Sequence, residues 1–175
     1  GITIKLAPVR MLYKNYILNL IDTPGHVDFS YEVNRSLAAC EGAILLVDAT
    51  QGIQAQTLAH YHQAQKLGLT VIPVINKIDI ATADIAGTKQ QMAEILGFNS
   101  PFLISAKTGM GVQELLENII KRIPAPNEAE GEVGPVRALI FNSNFDVHLG
   151  VIAWVRVFDG QINSGDKLFL LGTQS

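Results

Sequence analysis

Cysteine and net positive charge are both scarce in this sequence. Its 175 residues include one cysteine, Cys40, which excludes a disulfide within the chain and a metal site built from several cysteines. Thirteen Lys and Arg residues against sixteen Asp and Glu residues give a net charge of −3 with histidine neutral, so the composition does not predict a DNA-binding protein. Such low cysteine usage is typical of a reducing, cytosol-like compartment.

Long apolar segments are also missing. The longest apolar runs, such as residues 43–47, are far too short to span a bilayer. The opening string Gly-Ile-Thr-Ile-Lys has neither the layout of a signal peptide nor an initiating methionine. We therefore expect a chain cut from a longer protein.

The sequence does have enough apolar character to fold. Hydrophobic residues make up 48% and charged residues 17%, which excludes a disordered or collagen-like chain. At roughly 150 residues per domain, the length predicts one domain and part of a second.

Hydrophobic periodicity predicts alternating strands and helices over most of the chain. Two apolar runs, residues 4–13 and 16–21, flank Lys14-Asn15 and predict a tight hairpin. The later predicted elements are a helix over 28–39, a strand over 43–47, a helix over 57–67, a strand over 71–75, a helix over 84–96, a strand over 102–104 and a helix from Val112. This alternation indicates an α/β domain with a mostly parallel sheet.

Two details of the pattern make specific predictions. Asp84 is placed to cap the start of the helix over 84–96, and Gly97 is placed to end it. Pro73 lies inside the predicted strand over 71–75, where it argues against a regular central position because it has no N–H to donate.

The periodicity changes after the last predicted helix. Residues 124–135 combine prolines, glycines and glutamates and are typical of a linker. Beyond it the period is two, which predicts strands over 136–141, 151–158 and 167–171. We therefore predict an α/β domain over residues 1–123, a linker over 124–135 and the start of a β domain over 136–175.

The densest group of chemically active residues is the string Asp22-Thr23-Pro24-Gly25-His26, directly after a predicted strand. Open α/β sheets bind ligands at the carboxyl ends of their strands. There Asp22 can hold Mg²⁺, the Gly25 amide can approach a terminal phosphate and His26 can orient a water for in-line attack. The alternative is a turn in which the aspartate caps the next helix and the histidine lies on the surface.

A second string, Asn76-Lys77-Ile78-Asp79, also follows a predicted strand. Guanine presents two adjacent donors, N1–H and the N2 amine, and the Asp79 carboxylate can accept both. Asn76 can brace the loop, and the aliphatic stem of Lys77 can cover a base. The alternative is a common Asx turn between strand and helix.

A third string, Ser105-Ala106-Lys107, follows the predicted strand over 102–104, and its backbone N–H groups can donate to a base oxygen. The three strings in this order resemble the GTP-binding domain of translational GTPases: they match its switch II, its base-specificity loop and its base-contacting loop. Residues 21–53 are very similar to the elongation factor 4 (LepA) family. Residues 136–172 resemble the start of the β-barrel domain of that family.

The resemblance implies a role for each of these residues. Residues 1–4 are similar to the end of the first switch, in which Thr3 would place a hydroxyl on Mg²⁺ together with Asp22. His26 would be the catalytic residue. The residues implied to bind the nucleotide are Asp22, Gly25, Asn76, Lys77, Asp79, Ser105, Ala106 and Lys107.

The implied function is hydrolysis of GTP to GDP and phosphate on the ribosome, with Mg²⁺ as the metal and ribosomal RNA and proteins as partners. The implied location is the cytoplasm, with peripheral association to the cytoplasmic face of the membrane, or an organelle if the source is eukaryotic. The alternatives within the class are elongation factor G, release factor three and TypA. Outside it, the chain is a binding fragment without turnover.

The resemblance is incomplete at both ends. No Gly-x-x-x-x-Gly-Lys-Ser/Thr phosphate loop is present, because the sequence begins downstream of its expected position. The second domain stops early, and the hairpin at Lys14-Asn15 is shorter than in most members of the family. Most phosphate contacts in such sites come from the missing loop, so we expect this chain alone to bind GTP poorly and to be inactive.

The missing loop also leads to a prediction about strand pairing. In the family, the strand before the phosphate loop lies between the strands that match residues 16–21 and 43–47. Without it these two would be separated by roughly 9–10 Å, and backbone groups on both ladders would be buried without partners. The helix over 28–39 can act as a right-handed crossover. We therefore predict that the two strands pair directly, in parallel, at about 4.8 Å.

Overall fold

A computed structural model describes residues 7–23, 30–126 and 135–172. The chain divides into two compact units, Gly1–Pro126 and Asn127–Ser175. No helix within the described residues is long and apolar enough to cross a membrane.

The first unit alternates strands and helices, as predicted. Its elements are β1 (Ala7–Tyr13), β2 (Tyr16–Asp22), α1 (Ser30–Ala38), β3 (Gly42–Asp48), α2 (Ala55–Lys66), β4 (Thr70–Asn76), α3 (Ile85–Leu96), β5 (Phe102–Leu103) and α4 (Val112–Arg122). The second unit contains β6 (Arg137–Asp146) and β7 (Gly150–Asp159).

Strands β3, β4 and β5 form a parallel sheet with β4 in the centre. Ile75 on one face of β4 packs with Met92 of α3 and Tyr61 of α2. Ile72 and Val74 on the other face pack with Leu115 of α4. Helices therefore cover both faces of the sheet, which confirms the predicted α/β class.

Helix α3 begins and ends where the sequence predicts. The Asp84 carboxylate accepts a hydrogen bond from the Gly87 N–H at 2.8 Å and so satisfies one of the donors that a helix start leaves unpaired. Gly97 ends the helix in the left-handed conformation with φ 76°, which costs glycine little.

Pro73 lies in the central strand, contrary to the usual restriction on proline. The Ile75 carbonyl accepts from Ile104 N–H at 2.8 Å, so odd-numbered residues of β4 direct their backbone groups towards β5. The nitrogen of Pro73 faces the same side, but β5 begins at Phe102 and pairs only with Val74 and Ile75. The position therefore requires no ladder hydrogen bond from Pro73.

The predicted hairpin at Lys14-Asn15 is confirmed for the described residues, whereas residues 4–6 lie outside them. Tyr13 pairs with Tyr16 across a tight turn in which Lys14 has a φ of 53°.

The predicted pairing of β2 with β3 is wrong. Among the described residues, β2 pairs with β1 alone, and the parallel sheet contains only β3, β4 and β5. The prediction assumed that the open edge of β2 is buried, but five of its seven residues are exposed. Water can therefore satisfy the backbone groups at this edge, and the driving force for closing the sheet is absent.

The second unit is an antiparallel hairpin of two ten-residue strands. The predicted strands over 136–141 and 151–158 lie within β6 and β7, apart from Val136. The predicted strand over 167–171 is wrong, because these residues form no strand, and Leu168 and Phe169 are 53% and 64% exposed. An apolar run becomes a strand only where a neighbouring strand pairs with it, and β propensity alone does not supply one.

Candidate functional site

Three loops follow the carboxyl ends of the parallel strands and lie at one edge of the sheet. They begin after Asp48 of β3, Asn76 of β4 and Leu103 of β5. The first two loops are joined at the backbone, where the Ala49 N–H donates to the Asn76 carbonyl at 3.0 Å. This edge is where open α/β sheets bind ligands.

Asn76 connects the second loop to the third. Its side-chain Oδ1 accepts a hydrogen bond from the Ala106 N–H at 3.0 Å. A backbone bond from Ile78 N–H to the Ile104 carbonyl, at 3.4 Å, joins the same two loops. The two strings that the sequence predicts to contact one ligand are therefore held together.

Ser105 of the third loop lies beside Asp79 of the second. It is fully buried, its hydroxyl accepts from the Thr108 N–H at 3.1 Å, and it lies close enough to Asp79 to influence that carboxylate. The Ser105 hydrogen bond, the Asp79 N–H and the nearby charge of Lys107 together lower the pKa of Asp79 below its usual value, although partial desolvation opposes them. Asp79 is thus an exposed carboxylate, held in the ionised form by its surroundings.

The third loop is fixed by its own backbone. Ser105 N–H donates to the Met110 carbonyl at 3.0 Å, and Gly109 N–H donates to the Ser105 carbonyl at 2.8 Å. Gly111 closes the loop with φ 72°, and a Cβ there would lie 2.2 Å from the Leu103 carbonyl oxygen. Ala106 and Lys107 are exposed at the tip of this rigid loop.

Lys77 extends from the second loop towards β3. Its Nζ lies 2.5 Å from Oδ2 of Asp48, while Oδ1 of Asp48 accepts from the N–H and the hydroxyl of Thr50 at 2.8 and 2.7 Å. Burial raises the pKa of Asp48, but the Lys77 ammonium and the two Thr50 hydrogen bonds outweigh it, and the pKa lies below its usual value.

Six of the predicted site residues therefore meet at one edge of the sheet: Asn76, Lys77, Asp79, Ser105, Ala106 and Lys107. Asp22 is exposed at the end of β2, in the separate two-stranded sheet. Thr3, Gly25 and His26 lie outside the described residues.

Sequence reasoning missed Asp48. A signal was present, since Asp48 follows the buried strand over 43–47 in the same way that Asp22 follows an apolar run. Within the described part of the chain, no group of three or more His, Cys, Asp or Glu residues is placed to hold a metal ion.

The arrangement is suited to binding a planar, polar ring. Asp79 offers two acceptor oxygens, and the Lys77 stem offers an apolar edge. The Ser105 and Ala106 N–H groups already donate to the Met110 carbonyl and to the Asn76 side chain, so they serve to hold the loop. A base with two adjacent donors on one edge matches the carboxylate geometry.

Comparisons with known proteins agree with this geometry. The sequence profile of the family described as "Elongation factor Tu GTP binding domain" matches residues 1–125. Elongation factor 4 of Aquifex aeolicus is 52% identical over 99% of this chain, and that of Campylobacter concisus is 54% identical over 99%. The chain spans about 30% of the length of each.

A solved structure shows the same fold. Translation elongation factor SelB from Methanococcus maripaludis, in complex with the GTP analogue GppNHp, superimposes with a TM-score of 0.77 at 28% identity. The superposition covers 94% of this chain and 38% of SelB.

Proposed function

Because this chain belongs to the family of the elongation factor Tu GTP-binding domain, we propose that it is part of a ribosome-associated translational GTPase of the elongation factor 4 type. The observation that carries this proposal is the hydrogen bond from the Ala106 N–H to the Asn76 side chain, which joins two of the three predicted strings. Identities of 52% and 54% across nearly the whole chain favour elongation factor 4 over elongation factor G, release factor three or TypA.

In this proposal the three-loop edge binds guanine. The Asp79 carboxylate accepts both N1–H and the N2 amine, whereas adenine presents no matching pair of donors. Ser105 and Lys107 favour the ionised form of that carboxylate, and Asn76 holds the loop over 105–107 beside it. The selectivity for guanine then depends on buried or braced groups that a mismatched base would leave unpaired.

The phosphate end of the site is proposed from the family resemblance. Gly25 contacts the terminal phosphate through its N–H, and His26 orients the attacking water. Catalysis in such sites depends on positioning and electrostatic stabilisation, with no covalent intermediate on the protein.

Mg²⁺ fits the donors that the chain offers. The ion takes one or two protein oxygens and completes its shell with water and phosphate oxygens, so it needs no cluster of carboxylates. Asp22, exposed at the end of β2, and the Thr3 hydroxyl are the proposed ligands. When bound, the ion neutralises charge on the phosphates.

The partner and the second unit are proposed on the same basis. The ribosome is the proposed partner and the cytoplasm the proposed location, while peripheral membrane association stays a prediction of the resemblance alone. The hairpin of β6 and β7 is proposed to begin a β-barrel domain, with residues 1–123 as the GTP-binding part and 124–135 as the linker.

Ribosome-stimulated phosphate release tests the proposed activity. In a full-length protein that carries this chain, GTP and not ATP should be hydrolysed, and His26→Ala should slow release by roughly a hundredfold or more, with GTP affinity nearly unchanged. His62→Ala, at an exposed histidine of α2, is the matched control and should release phosphate at the wild-type rate. An unchanged rate in His26→Ala would remove His26 from the mechanism.

A further inference from the structure

Lys77 has an unusual backbone conformation. Its φ is 65°, and among the described non-glycine residues only Lys14, in the tight hairpin turn, shares a positive φ. Such a conformation is maintained only where the surroundings fix it. Here the Lys77 carbonyl accepts from Ile80 N–H at 3.2 Å, and the neighbouring Asn76 and Ile78 are bonded to the first and third loops. The direction in which the Lys77 side chain leaves the backbone is therefore fixed.

The far end of the same side chain is also fixed. Asp48 holds the Lys77 ammonium, and Asp48 is itself held by the two Thr50 donors at its other oxygen. The Asp48 side chain is 19% exposed and the Lys77 side chain 48%. An anchor that is already oriented by other contacts restricts a lysine more than a mobile surface carboxylate does.

We infer that Asp48 is a positioning residue of the base site, acting through Lys77. Anchoring at both ends extends the methylene stem of Lys77 across the edge between β3 and β4, where it forms a fixed apolar platform for one face of the base. The restricted stem loses less conformational freedom when a ligand packs on it, so the anchor strengthens binding without touching the nucleotide. This inference rests on the proposed guanine site.

The test is a double-mutant cycle in a full-length protein that carries this chain, with the affinity for GDP measured by calorimetry. Asp48→Asn keeps the shape of the side chain but removes the charge, and it should weaken GDP binding roughly three- to tenfold. Lys77→Met keeps an apolar stem without the ammonium, and in that background Asp48→Asn should have no further effect. Glu117→Gln is the matched control: it removes a different lysine–carboxylate pair, Lys14 with Glu117 at 3.0 Å, and should bind GDP as the wild type does.

The outcomes separate this inference from the proposed function. A wild-type protein with no preference for GDP over ADP would contradict the proposed function itself. A wild-type protein that prefers GDP, with Asp48→Asn binding GDP equally tightly, would overturn only the role of Asp48. An equal loss from Asp48→Asn in the Lys77→Met background would also overturn it, because the effect would then not act through Lys77.

Discussion

Strand β4 of the first unit and strand β7 of the second are both rich in apolar residues, but they differ in how much of that surface is buried. Ile72, Val74 and Ile75 of β4 are 0% exposed, whereas Val151 and Val155 of β7 are 75% and 41% exposed. Helices pack on both faces of β4, whereas no described helix packs on β7 in a comparable way. Burial in this chain is therefore determined by neighbouring elements more than by the composition of the strand.

The difference extends to the site. Asn76 ends the buried strand β4, and the other five base-site residues that the structure describes lie on the loops that follow β4 and β5. The Asn76 side chain joins these two loops through Ala106. A loop on a rigid scaffold can hold a carboxylate in one place, which is what recognition of a base edge requires. An isolated two-stranded hairpin is at best marginally stable and cannot supply this rigidity.

The largest expected effect comes from shortening a buried side chain of the first unit, and the comparison is an exposed side chain of the second unit. Ile72→Ala should lower the free energy of unfolding by about 3–4 kcal/mol, because it leaves a cavity between β4 and α4. Val151→Ala should change it by no more than about 0.5 kcal/mol, because the side chain is 75% exposed. Chemical denaturation measures both changes in the free energy of unfolding. Helix circular dichroism follows the Ile72→Ala variant, and Trp154 fluorescence follows the Val151→Ala variant. Equal losses would contradict the comparison.

A pair of glycines gives the next largest effect. Gly111 and Gly150 have similar φ values of 72° and 78°, but a Cβ at Gly111 would meet the Leu103 carbonyl at 2.2 Å while one at Gly150 meets nothing within 4 Å. Gly150→Ala should cost only the backbone strain, about 1 kcal/mol. Gly111→Ala should cost roughly 2–3 kcal/mol, because the turn between β5 and α4 must also move. If both variants unfold at the same denaturant concentration, the crowding of the first-unit turn has no energetic consequence.

The smallest effect is a pH dependence in the second unit. Hydrogen bonds from the N–H groups of His148 and Leu149, at 2.8 and 3.0 Å, lower the pKa of Asp146 from its ordinary value of 3.8. The ionised form is favoured in the folded state, so its stabilisation is present above about pH 4 and is lost as the pH falls through the lowered pKa. An NMR titration should give Asp146 a pKa below 3.8. A pKa at or above the ordinary value would show that these bonds do not form.

Local chemistry made several features of the fold predictable. Asp84 and Gly97 mark the ends of α3 through capping that depends on those residues alone. The turn at Lys14-Asn15 is likewise a local property. The parallel sheet followed from apolar runs that alternate with amphipathic segments, a pattern that needs no knowledge of long-range contacts.

Long-range contacts account for what was wrong or missed. The strand predicted over 167–171 lacks a pairing partner among the described residues, and β2 pairs only with β1 there because its other edge is exposed to water. The role of Asp48 depends on a contact with Lys77, 29 positions away, which neither residue reveals by itself. Pro73 is tolerated because β5 begins after its level in the sheet, a fact of register that periodicity does not contain.

The preference between guanine and xanthine nucleotides shows whether the Asp79 carboxylate reads the base. Asp79→Asn, in a full-length protein that carries this chain, replaces the carboxylate by an amide that can donate to the carbonyl at position 2 of xanthine. The control is Asp84→Asn, the same substitution at the N-cap of α3, where asparagine caps about as well as aspartate. We expect Asp79→Asn to switch the preference from GTP to XTP in a competition assay, while Asp84→Asn keeps the preference for GTP. An Asp79→Asn protein that still favours GTP would contradict this expectation.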